Sequence, residues 1–217
     1  MKKFKVTDIF IGIVFTLLFV SIGVIAAVNF RFVYYLDIAN LDIVKTSGIE
    51  SEVIVNNYDA LIDYNSPFFK GELQFPSLPA SPEGLQHFKE VKNIFVSLYY
   101  IGIITLVLSL AIIIYKAWKK DNSYLLVSSI TVLVLPAIVV IGCAINFDAA
   151  FVIFHKIFFR NDFWLFDSNT DPIITILPDT FFLHGLLVIV AFVLLGSLIL
   201  FLSSHIGKNK RFIRNRY

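Results

Sequence analysis

Four stretches of the chain are apolar around a whole helical circumference, and the residues between them mix polar and apolar positions. Ile9 to Phe30 carries no formal charge in 22 residues and Ile94 to Ile114 none in 21. Tyr124 to Ile145 and Gly185 to Leu202 complete the set. A bilayer core of about 30 Å is crossed by about 20 helical residues rising about 1.5 Å each. Lipid cannot satisfy backbone amides, so runs of this length are read as helices. The pattern predicts one membrane domain over 1–217, with transmembrane helices at about 9–30, 94–114, 124–145 and 185–202. Pro136 and Gly142 inside the third run are tolerated in a membrane helix as a kink and a close-packing point. Met1-Lys2-Lys3 resembles the start of a signal peptide. The apolar run behind it exceeds the about 7–15 residues of a signal core, so it is read as a retained span.

Composition supports the same class. Hydrophobic residues make up 58% of the 217 and charged residues 16%, with a mean hydropathy of +0.81. An ordinary soluble domain does not have this balance. Basic residues set the orientation. The N-terminal flank (Lys2, Lys3, Lys5), the 115–123 connection (Lys116, Lys119, Lys120) and the tail (Lys208, Lys210, Arg211, Arg214, Arg216) hold eleven of the 18 Lys and Arg. Segments 31–93 and 146–182 hold seven bases and fourteen acids. The positive-inside rule then puts both termini in the cytoplasm and these two segments outside the cell membrane. Beside a span, the basic tail reads as topogenic and facing anionic lipid, not as a nucleic-acid arm. Cys143, the sole cysteine, lies within the third span, so the outer segments contain no disulfide.

The expected architecture is an all-α membrane protein: a four-helix transmembrane bundle whose extracytoplasmic segments form a small cap and an interfacial amphipathic helix. In the first segment, Tyr58 to Tyr64 reads as a short amphipathic helix ended by Ser66-Pro67, and Phe69 to Phe75 as an extended strand. Ser81-Pro82-Glu83 has the features of a helix start that can run on into the second span. His87 then lies about 10 Å before Ile94 along the axis, near the headgroup layer. Glu90, three residues on, shares its face. Either this is a site in which a carboxylate orients an imidazole, or it is an exposed interfacial histidine beside a solvated acid. In the second segment Phe147, Phe151, Phe154 and Phe158 form a stripe at steps of 4, 3 and 4, suited to an interfacial helix with His155 beside the stripe. The run Phe158 to Asp167 concentrates charge and aromatic rings, either for function or as a pre-helix belt with Arg160 paired to Asp162 or Asp167. Zinc-binding His pairs, nucleophile elbows and phosphate-cradling glycine loops have no counterpart in the sequence. A metal shared by His87, His155 and His184 is conceivable but unsupported by spacing, and no metal or cofactor is expected.

His87-Phe88-Lys89-Glu90-Val91-Lys92 resembles the H-x-x-[D/E]-V-K element of a bacterial integral membrane family that includes the lipoprotein intramolecular transacylases. The stretch His155 to Asp167, followed by Asp171-Pro172-Ile173-Ile174 and Leu177-Pro178-Asp179-Thr180-Phe181-Phe182, resembles its second signature. Ser168 departs from it where Pro is the family's residue, which changes a local turn. The resemblance implies a membrane acyltransferase that moves the sn-2 acyl chain of a diacylglyceryl lipoprotein to the α-amine of its N-terminal cysteine. Its two histidines correspond to His155, as proton shuttle, and His87. Glu90 would orient His87, and Arg160 or Asn161 would complete an oxyanion site. Trp164, Phe151, Phe154 and Phe158 would seat acyl chains, with Asp162 and Asp171 also at the substrate. Partners would be the lipoprotein and membrane lipids, not nucleic acid. Alternatives are a non-enzymatic scaffold or lipid-binding protein that docks through its aromatic belt, and a His-dependent lipid ester hydrolase.

Overall fold

A computed structural model describes residues 5–214 and is helical throughout, with no strand among the described residues. Lys2, Lys3, Arg216 and the basic side chains from Lys208 onward, which enter the orientation argument, lie outside the described residues and side chains. The helices are α1 (Val6–Asn29), α2 (Phe32–Asn40), α3 (Ile43–Ser47), α4 (Ser51–Tyr64), α5 (Pro82–Trp118), α6 (Ser123–Ile145), α7 (Phe147–Phe158) and α8 (Asp179–Arg214). A 3-10 turn, Pro172–Ile176, lies between the last two. Among the described residues four helices, α1, α5, α6 and α8, are long and apolar enough to cross a membrane. Their apolar windows leave between 67% and 83% of residues outside the protein interior, because only 33% to 17% are buried. Such outward hydrophobic faces suit lipid and not water.

Two compact units share the chain. Met1–Gly23, Tyr100–Ile141 and Val188–Tyr217 make one; Val24–Tyr99 and Gly142–Leu187 make the other. The first packs its helices on small residues. A Cβ at Gly12 would sit 2.6 Å from the Thr131 Cβ, one at Gly23 would sit 3.0 Å from the Ile189 backbone, and one at Gly196 would enter the Phe19 ring. Close backbone approach of this kind is how apolar helices associate in a solvent as apolar as themselves. Ser197 Oγ donates to the Ser129 carbonyl at 2.9 Å, and Phe15 stacks on Tyr124. Asp8 is fully buried, and Lys116 Nζ lies 3.3 Å from both Asp8 Oδ1 and Asp121 Oδ2. A buried carboxylate requires such a partner. Lys116 is thus held between two acids within the protein.

The second unit is built around Tyr34 and Tyr58, both buried and stacked with ring centroids 3.6 Å apart. Ile43, Ile54, Leu73, Phe88, Ile173 and Ile176 close around them. The Tyr34 hydroxyl donates to the Ile176 carbonyl at 2.7 Å, tying α2 to the 3-10 turn. Helix α4 is seven residues longer at its start than amphipathicity alone predicts, because Ile54 and Asn57 are fully buried in this core. The run Phe69 to Phe75 is not a strand. Gly71 turns the backbone at φ +111°, and Asn57 on α4 then accepts from Ser77 N (3.3 Å) and Leu78 N (3.2 Å). One buried amide thus fastens the loop that a sheet partner would otherwise hold. Helix α5 starts as Ser81-Pro82-Glu83 indicates, with Ser81 Oγ accepting from Gly84 N at 2.9 Å.

Candidate active site

The second unit brings His87 and His155 together. His87 stands in the second turn of α5 and His155 in the last turn of α7, and their ring centroids are 5.9 Å apart. Helix α7 exists because Asn146 caps it, its Oδ1 accepting from Ala149 N at 2.9 Å, and because apolar side chains fill most of its circumference. Both imidazoles are buried, with 4% and 8% of their surface exposed. Aromatic rings enclose them. Phe159 (4.7 Å), Phe166 (5.5 Å) and Phe88 (5.9 Å) surround His87. Phe151 (4.2 Å), Trp164 (4.8 Å) and Phe159 (5.5 Å) surround His155.

The two rings have different hydrogen bonding. His155 Nδ1 is 2.7 Å from the Phe151 carbonyl, which can only accept, so Nδ1 carries the proton. In the neutral ring Nε2 is then the lone-pair nitrogen, a tautomer fixed by the helix's own backbone. Burial lowers the His155 pKa below the ordinary imidazole value, and the Phe151 carbonyl partly opposes the shift. His87 Nδ1 is buried without a hydrogen-bond partner among the described residues.

Glu90 does not bond to His87. Its carboxylate accepts twice from Asn161 Nδ2, at 3.1 Å and 3.1 Å, and once from Gln86 Nε2 at 3.1 Å. The Asn161 amide is therefore engaged, and its Oδ1 accepts from Phe163 N at 3.1 Å. Arg160 is exposed and forms no ion pair with Asp162 or Asp167. It lines a cleft of about 330 Å³ with Glu90, Asn93, Ile94, Phe158, Phe159 and Asn161. Asp162 lines a second cleft of about 260 Å³ with Ser81, Glu83 and Asp171. Asp171 is buried and already engaged, accepting from Ser81 N and Thr170 Oγ1, each at 2.7 Å. Phe154 and Phe158 stay exposed and touch each other at 4.7 Å, while Phe147 packs on Phe151 at 6.3 Å. His184 stands apart from the pair: its Nδ1 lies 2.8 Å and 2.9 Å from the two oxygens of buried Asp37.

Phe159 and Phe166, which touch His87, are absent from the sequence-based site. Phe159 falls one residue after the aromatic stripe and Phe166 lies in a loop, so neither has a periodic signal. The Gln86 contact to Glu90 has the ordinary i, i+4 spacing of a helix surface pair.

Fold and site together define a multi-pass membrane protein with paired buried imidazoles in an aromatic niche, beside an exposed arginine and exposed apolar rings. The family model described as lipoprotein intramolecular transacylase Lit matches residues 9–182, and the chain belongs to that family. The solved structure of the membrane integral lipoprotein intramolecular transacylase Lit from Bacillus cereus is 36% identical, with a TM-score of 0.89 over 95% of this chain and 98% of that one. Two further structures of the Bacillus cereus protein have one histidine replaced, by arginine (35% identity, TM-score 0.85, covering 96% of this chain and 95% of that one) or by alanine (35%, 0.84, 95% and 96%). No curated protein matches the chain.

Proposed function

We propose that this chain transfers the sn-2 acyl chain of a diacylglyceryl lipoprotein to the α-amino group of the lipoprotein's N-terminal cysteine, with His155 as proton carrier. The observation that carries this reading is the ring contact between His87 and His155, 68 positions apart in the chain, with the His155 lone pair fixed at Nε2. Amine and ester belong to one substrate molecule. Holding them in near-attack geometry contributes about 7–11 kcal/mol without a covalent enzyme intermediate. The amine nitrogen attacks the ester carbonyl carbon, and His155 Nε2 takes the proton released from that nitrogen. The C–O bond to glycerol then breaks, and the same proton passes to the departing oxygen, leaving an amide and a free sn-2 hydroxyl. The α-amine, with a pKa of about 8, supplies enough free base for attack near neutral pH.

His87 supports the second face of the reacting centre from within its aromatic cage. Arg160, with no acidic partner among the described residues, is a cation available to a developing oxyanion in the larger cleft. Phe154 and Phe158, exposed on α7, are the rings available to acyl chains. The distribution of basic residues supports cytoplasmic termini and a site at the outer face of the cell membrane, with membrane lipids as neighbours.

Expression in a host whose lipoproteins are only diacylated, followed by mass spectrometry of one lipoprotein's N-terminus, tests the assignment. The intact chain should yield the N-acyl, sn-2-deacylated form, and His155→Ala should abolish it. Released fatty acid without N-acyl product would identify a hydrolase. Unchanged product from His155→Ala would remove His155 from the chemistry.

A further inference from the structure

Glu90, Asn161 and Trp164 form a continuous chain of contacts that ends on His155. The Asn161 side chain is saturated: Nδ2 donates to both oxygens of Glu90, and Oδ1 accepts from Phe163 N. Its backbone carbonyl is also engaged, accepting from Trp164 Nε1 at 3.1 Å. The Trp164 indole lies over the His155 ring at 4.8 Å with 29° between the planes. Helix α5 is thereby fastened to the 159–166 loop by one amide, and the loop presses an indole on the imidazole. The Phe151 carbonyl holds one ring nitrogen of His155, and Phe151, Phe154 and Phe159 lie against the ring at 4.2, 5.4 and 5.5 Å. The indole adds the stacked contact that comes from the loop.

We propose that Glu90 and Asn161 are positioning residues, a clasp that seats Trp164 on His155 and so sets where the His155 Nε2 points. The proposal rests on the reading of His155 as proton carrier. It requires an amide at one end and a carboxylate at the other. The amide must donate to its partner across the loop, while the loop side must also accept from Phe163 N. Asn161→Asp keeps the acceptor but faces Glu90 with a like charge. Combining it with Glu90→Gln exchanges the two roles, since the new amide on α5 donates to the new carboxylate in the loop. The single change should reduce turnover roughly 10- to 100-fold, the scale of about an ångström of misplacement, with KM little altered. The exchanged pair should recover to within about threefold, a rescue that a purely structural role for Asn161 does not predict.

The chain has two tryptophans, and Trp118 is exposed and remote in sequence from the site, stacked against Lys119. In a Trp118→Phe background, emission therefore reports Trp164 alone. An imidazolium quenches a stacked indole more strongly than a neutral imidazole, so protonation of His155 should appear as a step in emission with pH. His87, in ring contact with His155, is the other titratable ring there, and His155→Phe identifies the step by abolishing it. The step should be lost or displaced in Asn161→Asp and return in the Glu90→Gln, Asn161→Asp pair, together with turnover. An unchanged step and unchanged turnover in Asn161→Asp overturn the clasp, as does failure of the folded exchanged pair to regain both. Retained turnover in His155→Ala instead overturns the chemical reading, and the emission pattern then decides the clasp by itself.

Discussion

Replacing Gly84 with alanine tests how firmly the first turn of α5 is locked to the loop that walls His87. The new Cβ would collide with Asp171 Oδ1 and sit 3.0 Å from both Asp171 Cγ and Phe166 Cε1. Asp171 cannot swing away without cost, because it accepts from Ser81 N and Thr170 Oγ1 at 2.7 Å each and is 2% exposed. Overpacking of this kind costs about 1–3 kcal/mol, and loosening a hydrogen bond to a buried carboxylate about 1.5–3 kcal/mol. Alanine's better helix propensity returns about 1 kcal/mol. The net loss is about 1.5–5 kcal/mol, a fall in midpoint of roughly 3–20 °C for a chain of this size. Thermal unfolding of the purified chain in detergent measures it. In an Asp171→Ala background the same Gly84 change should cost much less, because the principal obstacle is gone and the two effects are coupled. A midpoint within about one degree of the parent for Gly84→Ala alone would refute the reasoning, since the carboxylate would then be free to move.

Turnover should show two acid limbs. The substrate α-amine, with a pKa of about 7.7–8.0, lowers the rate as pH falls through that range, and His155 adds a second loss only below about pH 6.5, because burial holds its pKa under the ordinary value. A lowered folded pKa also means that the His155 contribution to stability is complete above the unfolded value and declines as pH falls through the folded one; melting midpoints across pH 5–8 check the sign. A rate that rises on acidification would contradict a neutral His155. Tyr34→Phe should destabilise by about 1–3 kcal/mol by leaving the buried Ile176 carbonyl unpaired. The same detergent melt reads this effect, and an unchanged midpoint would show that the bond adds nothing.

Hydropathy alone located all four long helices, because a bilayer demands a length of apolar helix that no other element supplies. The cap of α5 was equally legible, since Ser81 and Pro82 act within one turn. Helices α2 and α3 were not, because they carry weak periodicity and depend on the Tyr34–Tyr58 core. The shared helical face of His87 and Glu90 suggested a direct pair. Spacing along one helix cannot reveal that Asn161, 71 positions away, takes the carboxylate instead.

What the residues alone determined is the solvent of this protein, which follows from composition; the two histidines on which its chemistry is proposed to rest came from the resemblance of two short motifs to a known family, since spacing left His87 open. Tertiary structure decided which nitrogen of His155 keeps its lone pair, which rings enclose each imidazole, and that Glu90 holds a loop and not a histidine. Those are distances between segments remote in the chain, and they are set by packing that no local pattern encodes.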